Sequence, residues 1–114
     1  MNPEIKFWLH RKVKVKIDRP LGSHHPDLKF KDTYPVNYGF IPGIFSKVDK
    51  EEIDAYVLGP QEPLTEYEGI VIAVIARIKG EIKLVVTDGQ DFSIKDIRAL
   101  THFQEKYYKS KIIT

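Results

Sequence analysis

The stretch from Gly69 to Thr87 constrains the fold most. Two nearly continuous β-branched runs, Gly69 to Lys79 and Ile82 to Thr87, are separated only by Gly80-Glu81. Branched side chains favour extended backbone, and a glycine at the junction accepts the dihedrals of a tight turn, so the stretch predicts a hairpin. Upstream, Val13, Val15 and Ile17 alternate with Lys12, Lys14 and Lys16, the period of two of a half-buried strand with one charged face. Tyr34 to Ile41, closed by the turn signal Pro42-Gly43, predicts a second strand, and Ile53 to Leu58, ended by Gly59-Pro60, a third. After Asp88-Gly89 the spacing changes to three and four through Ile94, Ile97, Leu100, Phe103 and Tyr107, with Ser93 and Asp96 placed as an N-terminal cap. The pattern predicts a mainly β fold: a small five-stranded OB-like closed barrel with one C-terminal α-helix.

The 114 residues suffice for one modest core, so residues 1–114 are expected to form a single domain. With 18 basic and 16 acidic residues, net charge is only +2, too even to argue for nucleic acid from bulk electrostatics. The absence of cysteine excludes disulfides and thiolate metal sites, leaving oxygen or imidazole as metal ligands. The longest nearly apolar run, Gly69 to Ala76, is far short of the roughly 20 residues of a membrane helix. A cytoplasmic protein with no membrane segment is the expectation.

Two segments carry chemistry. Asp49-Lys50-Glu51-Glu52-Ile53-Asp54 places four carboxylates within six residues, a repulsive arrangement that either spreads into water or is neutralised by a cation. Alone, it reads as a solvated hairpin tip. Tyr34-Pro35-Val36-Asn37-Tyr38-Gly39-Phe40-Ile41-Pro42-Gly43 is less ordinary, because Asn37 and two tyrosine hydroxyls need polar partners if buried. Further on, Glu81 and Lys83 share one strand face, pairing a hard oxygen ligand with a point-charge phosphate binder.

The tyrosine segment resembles the tyrosine-proline-x-asparagine-tyrosine-glycine run of family I soluble inorganic pyrophosphatases, and Asp49-x-Glu51-x-x-Asp54 falls where that family has D-x-D-x-x-D. The likeness spans about Val13 to Lys109 and is strongest to short members with a DRPxGSxHP loop, here Asp18 to Pro26. It implies Mg²⁺-dependent hydrolysis of pyrophosphate to phosphate by a homo-oligomer. By the same resemblance, Asp49, Asp54 and Glu81 would bind metal, Glu51 would be the general base, and Tyr38, Lys83 and Tyr107 would contact phosphate. Asp18 falls on a family glutamate near the site, and Lys109 is displaced by one residue from a phosphate-binding lysine. The chemistry agrees with these residue types: a phosphoanhydride repels nucleophiles, so its hydrolysis needs cations on the phosphates and an activated water, with a carboxylate to accept the proton.

Three departures stand beside the match. No acid precedes Glu81 in Ile78-Lys79-Gly80; the middle acid of the triplet is a glutamate; and the family hairpin between the first strand and the tyrosine segment is missing with its lysine, glutamate and arginine. Arg19, Lys29, Lys31 and Arg77 are the candidate replacements. Two other readings follow: hydrolysis of another phosphoanhydride in a more open cleft, or a barrel without catalysis that binds phosphates or single-stranded nucleic acid. The last would use Lys12, Lys14 and Lys16 on the backbone, with Phe7 or Trp8 for stacking. Carboxylates in the groove argue against it. His24 and His25 sit in a proline-bounded loop, where a structural or solvated role is favoured over a metal or phosphate contact.

Overall fold

The computed structural model describes residues 3–27, 29 and 31–114. A six-residue helix, α1 (Pro3–Trp8), leads into β1 (Lys12–Arg19), β2 (Asn37–Phe45), β3 (Glu52–Val57), β4 (Glu66–Arg77) and β5 (Ile82–Thr87); α2 (Ile94–Glu105) and β6 (Ser110–Ile113) complete the order. The sheet runs β1-β2-β3-β5-β4, and β4 pairs back with β1, closing a five-stranded barrel; β6 adds to β4 outside it. All barrel pairs are antiparallel except β3 with β5. Closure depends on the length of β4, which gives Glu66–Ile70 to β1 and Ile70–Ala76 to β5.

Strand faces follow the sequence pattern. β1 buries Val13, Val15 and Ile17 and exposes its lysines, as its period of two predicts. β5 is buried along its whole length, which explains why its sequence is a run rather than an alternation. Leu84 and Val86 enter the barrel interior with Val15, Ala55, Val57 and Val71, while Val85 joins Tyr38, Tyr56, Ile75 and Ile97 in a second apolar layer beneath α2. Ser93 caps α2, its Oγ accepting from Asp96 N at 3.0 Å.

The expected hairpin is present: Arg77 N donates to Glu81 O at 2.8 Å across Gly80, whose φ is +104°. Pro42-Gly43 does not end the second strand. It forms an irregularity within β2, where the register with β3 shifts between Phe40 and Phe45, and Glu52 Oε2 holds it by accepting from Gly43 N at 2.8 Å. Tyr34 precedes β2 and is tied instead to the proline loop, through Gly22 N to Tyr34 O at 2.7 Å and Tyr34 N to Ser23 O at 2.9 Å. Helix α1 and strand β6 have no counterpart in the sequence pattern, since six and four residues are too few to display a period. Trp8 is buried in the barrel core with Ile5, so it offers no face for base stacking. Among the described residues no helix is long and apolar enough to cross a membrane.

Candidate active site

On the outer face of the barrel, at the C-terminal end of α2, lies a cleft of about 330 Å³. At an approximate 30 Å³ per liquid water this is room for a small polyanion with several waters rather than one buried ion. Neighbouring strands each contribute a polar side chain: Asp18 and Arg19 from β1, Tyr38 from β2, Asp54 from β3, Arg77 from β4 and Lys83 from β5. Gln104 of α2, Tyr108 after it, and His25 and Lys29 from the loop after β1 complete the lining.

Asp54 is the centre of the arrangement. Its Oδ2 accepts from Tyr38 Oη at 2.6 Å and from Lys83 Nζ at 3.1 Å. Strand geometry brings them together: Tyr38 and Asp54 lie on paired strands, and β5 pairs with β3 on its other side, placing Lys83 alongside. Burial pushes the Tyr38 hydroxyl well above its ordinary pKa, and the charge of Asp54 pushes it further, so it remains a hydrogen-bond donor. Burial also raises the carboxyl of Asp18 against the opposing pull of Arg19, and the negative field of Asp54 adds to the rise. Two carboxylates therefore share the cleft with four nitrogen cations, Arg19, Lys29, Arg77 and Lys83.

Below the cleft runs a hydrogen-bonded chain. Arg19 Nη1 donates to Tyr34 Oη at 3.0 Å, Tyr34 Oη donates to Gln104 Oε1 at 2.9 Å, and Gln104 Nε2 donates to Tyr56 Oη at 2.8 Å. Tyr56 Oη then donates to Glu105 Oε2 at 2.6 Å, and Glu105 grips Arg77 through Nε at 3.1 Å and Nη2 at 2.8 Å. Burial disfavours the charge on Arg77, yet its bonds and attraction to Glu105 outweigh that and raise its pKa. Asn37 is satisfied elsewhere, accepting from Leu21 N and Leu64 N at 3.0 Å each and donating to Glu62 O at 2.9 Å. Its role is to lock loops to the barrel.

The other candidate residues lie apart from this floor. Asp49 and Glu51 occupy the exposed turn between β2 and β3, where Asp49 Oδ1 accepts from Glu51 N at 3.0 Å. That turn packs on the β4–β5 turn that carries Glu81: a Cβ placed on Gly80 would stand 3.3 Å from Val48 Cγ2. Glu81 itself takes Arg77 Nη1 at 3.4 Å. Tyr107 is exposed and lines a neighbouring cavity with Glu81 and Arg77, whereas Tyr108 enters the cleft with its ring 3.7 Å from Arg77 Cζ. Tyr108 has no sequence signal because α2 ends at Glu105, beyond which helical spacing no longer sets which side chain faces inward; Gln104 lies within the helix but off its apolar spacing. Arg19, Lys29 and Arg77 reach the cleft, but Lys31 does not line it.

Among the described residues no three carboxylate or imidazole groups converge as a preformed cage for a metal. Mg²⁺ rarely uses one; it takes one or two carboxylates and completes its shell with water and substrate oxygens. Asp54 and Asp18 inside the cleft, with the acidic turns at Asp49 and Glu81 packed on each other, fit that hard-oxygen chemistry.

A family model described as inorganic pyrophosphatase matches residues 2–112. Solved structures of inorganic pyrophosphatases are similar in fold. That from Ehrlichia chaffeensis is 18% identical with a TM-score of 0.68, over 90% of this chain and 85% of that one. That from Helicobacter pylori is 19% identical with a TM-score of 0.62, over 98% and 87%. That from Thermus thermophilus is 24% identical with a TM-score of 0.56, over 90% and 80%. No curated protein matches the sequence significantly.

Proposed function

The chain belongs to the inorganic pyrophosphatase family, and from that premise we propose that it hydrolyses inorganic pyrophosphate to phosphate with Mg²⁺ in the cleft. The observation that carries this reading is the Asp54 carboxylate, held by Tyr38 and Lys83 among Arg19, Lys29 and Arg77. Such a site attracts a polyanion through its cations and keeps a hard ligand for the cation that accompanies it. Asp54 would hold the metal inside the cleft, with Asp18 added by its place there, and Asp49 and Glu81 would serve as metal ligands from the adjoining turns. What Mg²⁺ supplies when bound is charge neutralisation at the phosphates and a lowered pKa for water.

The chain's own residues divide the remaining work. Lys83 Nζ would contact substrate oxygens, and Tyr38 and Lys83 together fix the Asp54 carboxylate by donating to the same oxygen, Oδ2, which leaves Oδ1 as the oxygen for a metal. Glu51 is the proposed proton acceptor, and Tyr107 a proposed phosphate contact beside Tyr108. A cytoplasmic location and a homo-oligomeric assembly belong to the same reading; size-exclusion chromatography tests the second.

Phosphate release from pyrophosphate tests the reading directly. Turnover is expected with Mg²⁺, none after chelation, and a loss on the order of 10²–10³-fold in kcat for Asp54→Asn. Turnover by Asp54→Asn equal to that of the unaltered chain would remove Asp54 from the site. Turnover of another phosphoanhydride, with none of pyrophosphate, would reassign the substrate.

A further inference from the structure

Arg77 is 8% exposed, yet it forms part of the cleft wall with Lys83 and Asp54. A guanidinium carries five N–H donors. Glu105 takes two of them side-on and Glu81 takes a third at 3.4 Å, while the flat face of the group lies against Tyr108. Among the described residues, two of the five N–H groups have no protein partner, in a side chain that lines the cleft. Stability alone is a poor reason for the pair, because a buried Arg–Glu contact is commonly no better than an apolar pair of equal volume.

We propose that Arg77 grips a terminal phosphate of the substrate, and that Glu105 on α2 is its positioning residue. The inference deepens the pyrophosphatase reading and rests on it for the identity of the anion. Glu105 is suited to the task because it is itself immobilised. Tyr56 Oη donates to its Oε2, and Gln104 Nε2 holds Tyr56 in turn. With both carboxylate oxygens engaged, the plane of the Arg77 fork is fixed before any anion arrives. A planar fork matches two phosphate oxygens at once, which a lysine cannot do.

The test measures affinity for imidodiphosphate, a non-hydrolysable analogue, by calorimetry at fixed Mg²⁺, alongside KM and kcat for pyrophosphate. Glu105→Gln retains the side-chain shape and is expected to weaken the analogue about tenfold and to raise KM by more than it lowers kcat. Arg77→Lys is expected to lose the same affinity although charge is retained. The paired substitution Arg77→Met with Glu105→Leu fills the buried volume with apolar groups; it is expected to keep a cooperative thermal transition and still to bind poorly. Wild-type affinity in that folded double variant, wild-type affinity in Glu105→Gln, or no binding of the analogue by the unaltered chain would overturn the inference. Analogue binding lost on substituting Arg77, in a chain that never turns over pyrophosphate, would support the inference and remove the hydrolase reading instead.

Discussion

His25 shows how the cleft treats a single titrating side chain. Burial lowers the pKa of its ring from 6.5, and the nearby charge of Arg19 lowers it further. The folded state therefore favours the neutral ring, and the unfolded chain takes up the proton first as pH falls. The stability His25 contributes is fully present above pH 6.5 and is lost as pH drops through the lower folded value. Thermal melts of the unaltered chain are expected to lose more between the two sides of that pH than melts of His25→Gln; equal losses would show that the ring feels neither burial nor Arg19. The residue scale was also where the sequence was least informative. Asp54, Tyr38 and Lys83 stood out as a likeness to known motifs, but Arg77 and Glu105 lie 28 positions apart, and no local spacing announces such a pair. Tyr107 stood out where Tyr108 enters the cleft, because the chain leaves the helix before either tyrosine.

Among the elements, the β1–β2 pair has the least tolerance. A Cβ at Gly39 would stand 1.9 Å from the carbonyl oxygen of Lys16 and 2.9 Å from Ile17 Cα. Both are backbone atoms of the paired strand and cannot swing aside. Gly39→Ala is expected to cost at least about 3 kcal/mol in chemical denaturation, and a smaller loss would mean that β1 can shift against β2. The same glycine follows Tyr38, so close strand approach and placement of the tyrosine hydroxyl are set by adjacent residues. Elements with strong periodicity were legible from sequence: β1 by its alternating lysines, α2 by its cap and apolar spacing, and the β4–β5 hairpin by Gly80. Strand β2 departs from the pattern at both ends, running Asn37–Phe45 instead of Tyr34 to Ile41. Pro42-Gly43 is a turn signal in isolation, yet Glu52 reaches across to satisfy Gly43 N and lets the strand continue.

For the whole molecule, barrel closure decides which charges face a ligand. Lys12, Lys14 and Lys16 of β1 are exposed, and two of them meet glutamates of β4, Lys12 with Glu68 at 2.9 Å and Lys14 with Glu66 at 3.8 Å. With two of its three lysines paired, that face gives no uninterrupted track for a nucleic-acid backbone. Substituting both lysines by alanine is expected to leave the melting temperature and KM for pyrophosphate nearly unchanged, since such exposed pairs are screened by water. A marked rise in KM would place the lysine face on the substrate's approach. The position of the cleft cations on the scaffold has a kinetic consequence. Arg77 and Lys83 stand on strands laced together by the Ile75–Lys83 and Ala76–Ile82 pairs, so the wall they form is already assembled when an anion collides with it. Capture of an anion by these two groups needs no movement of their strands, so its rate is expected to follow diffusion and long-range attraction and to slow as added salt shortens the reach of the field.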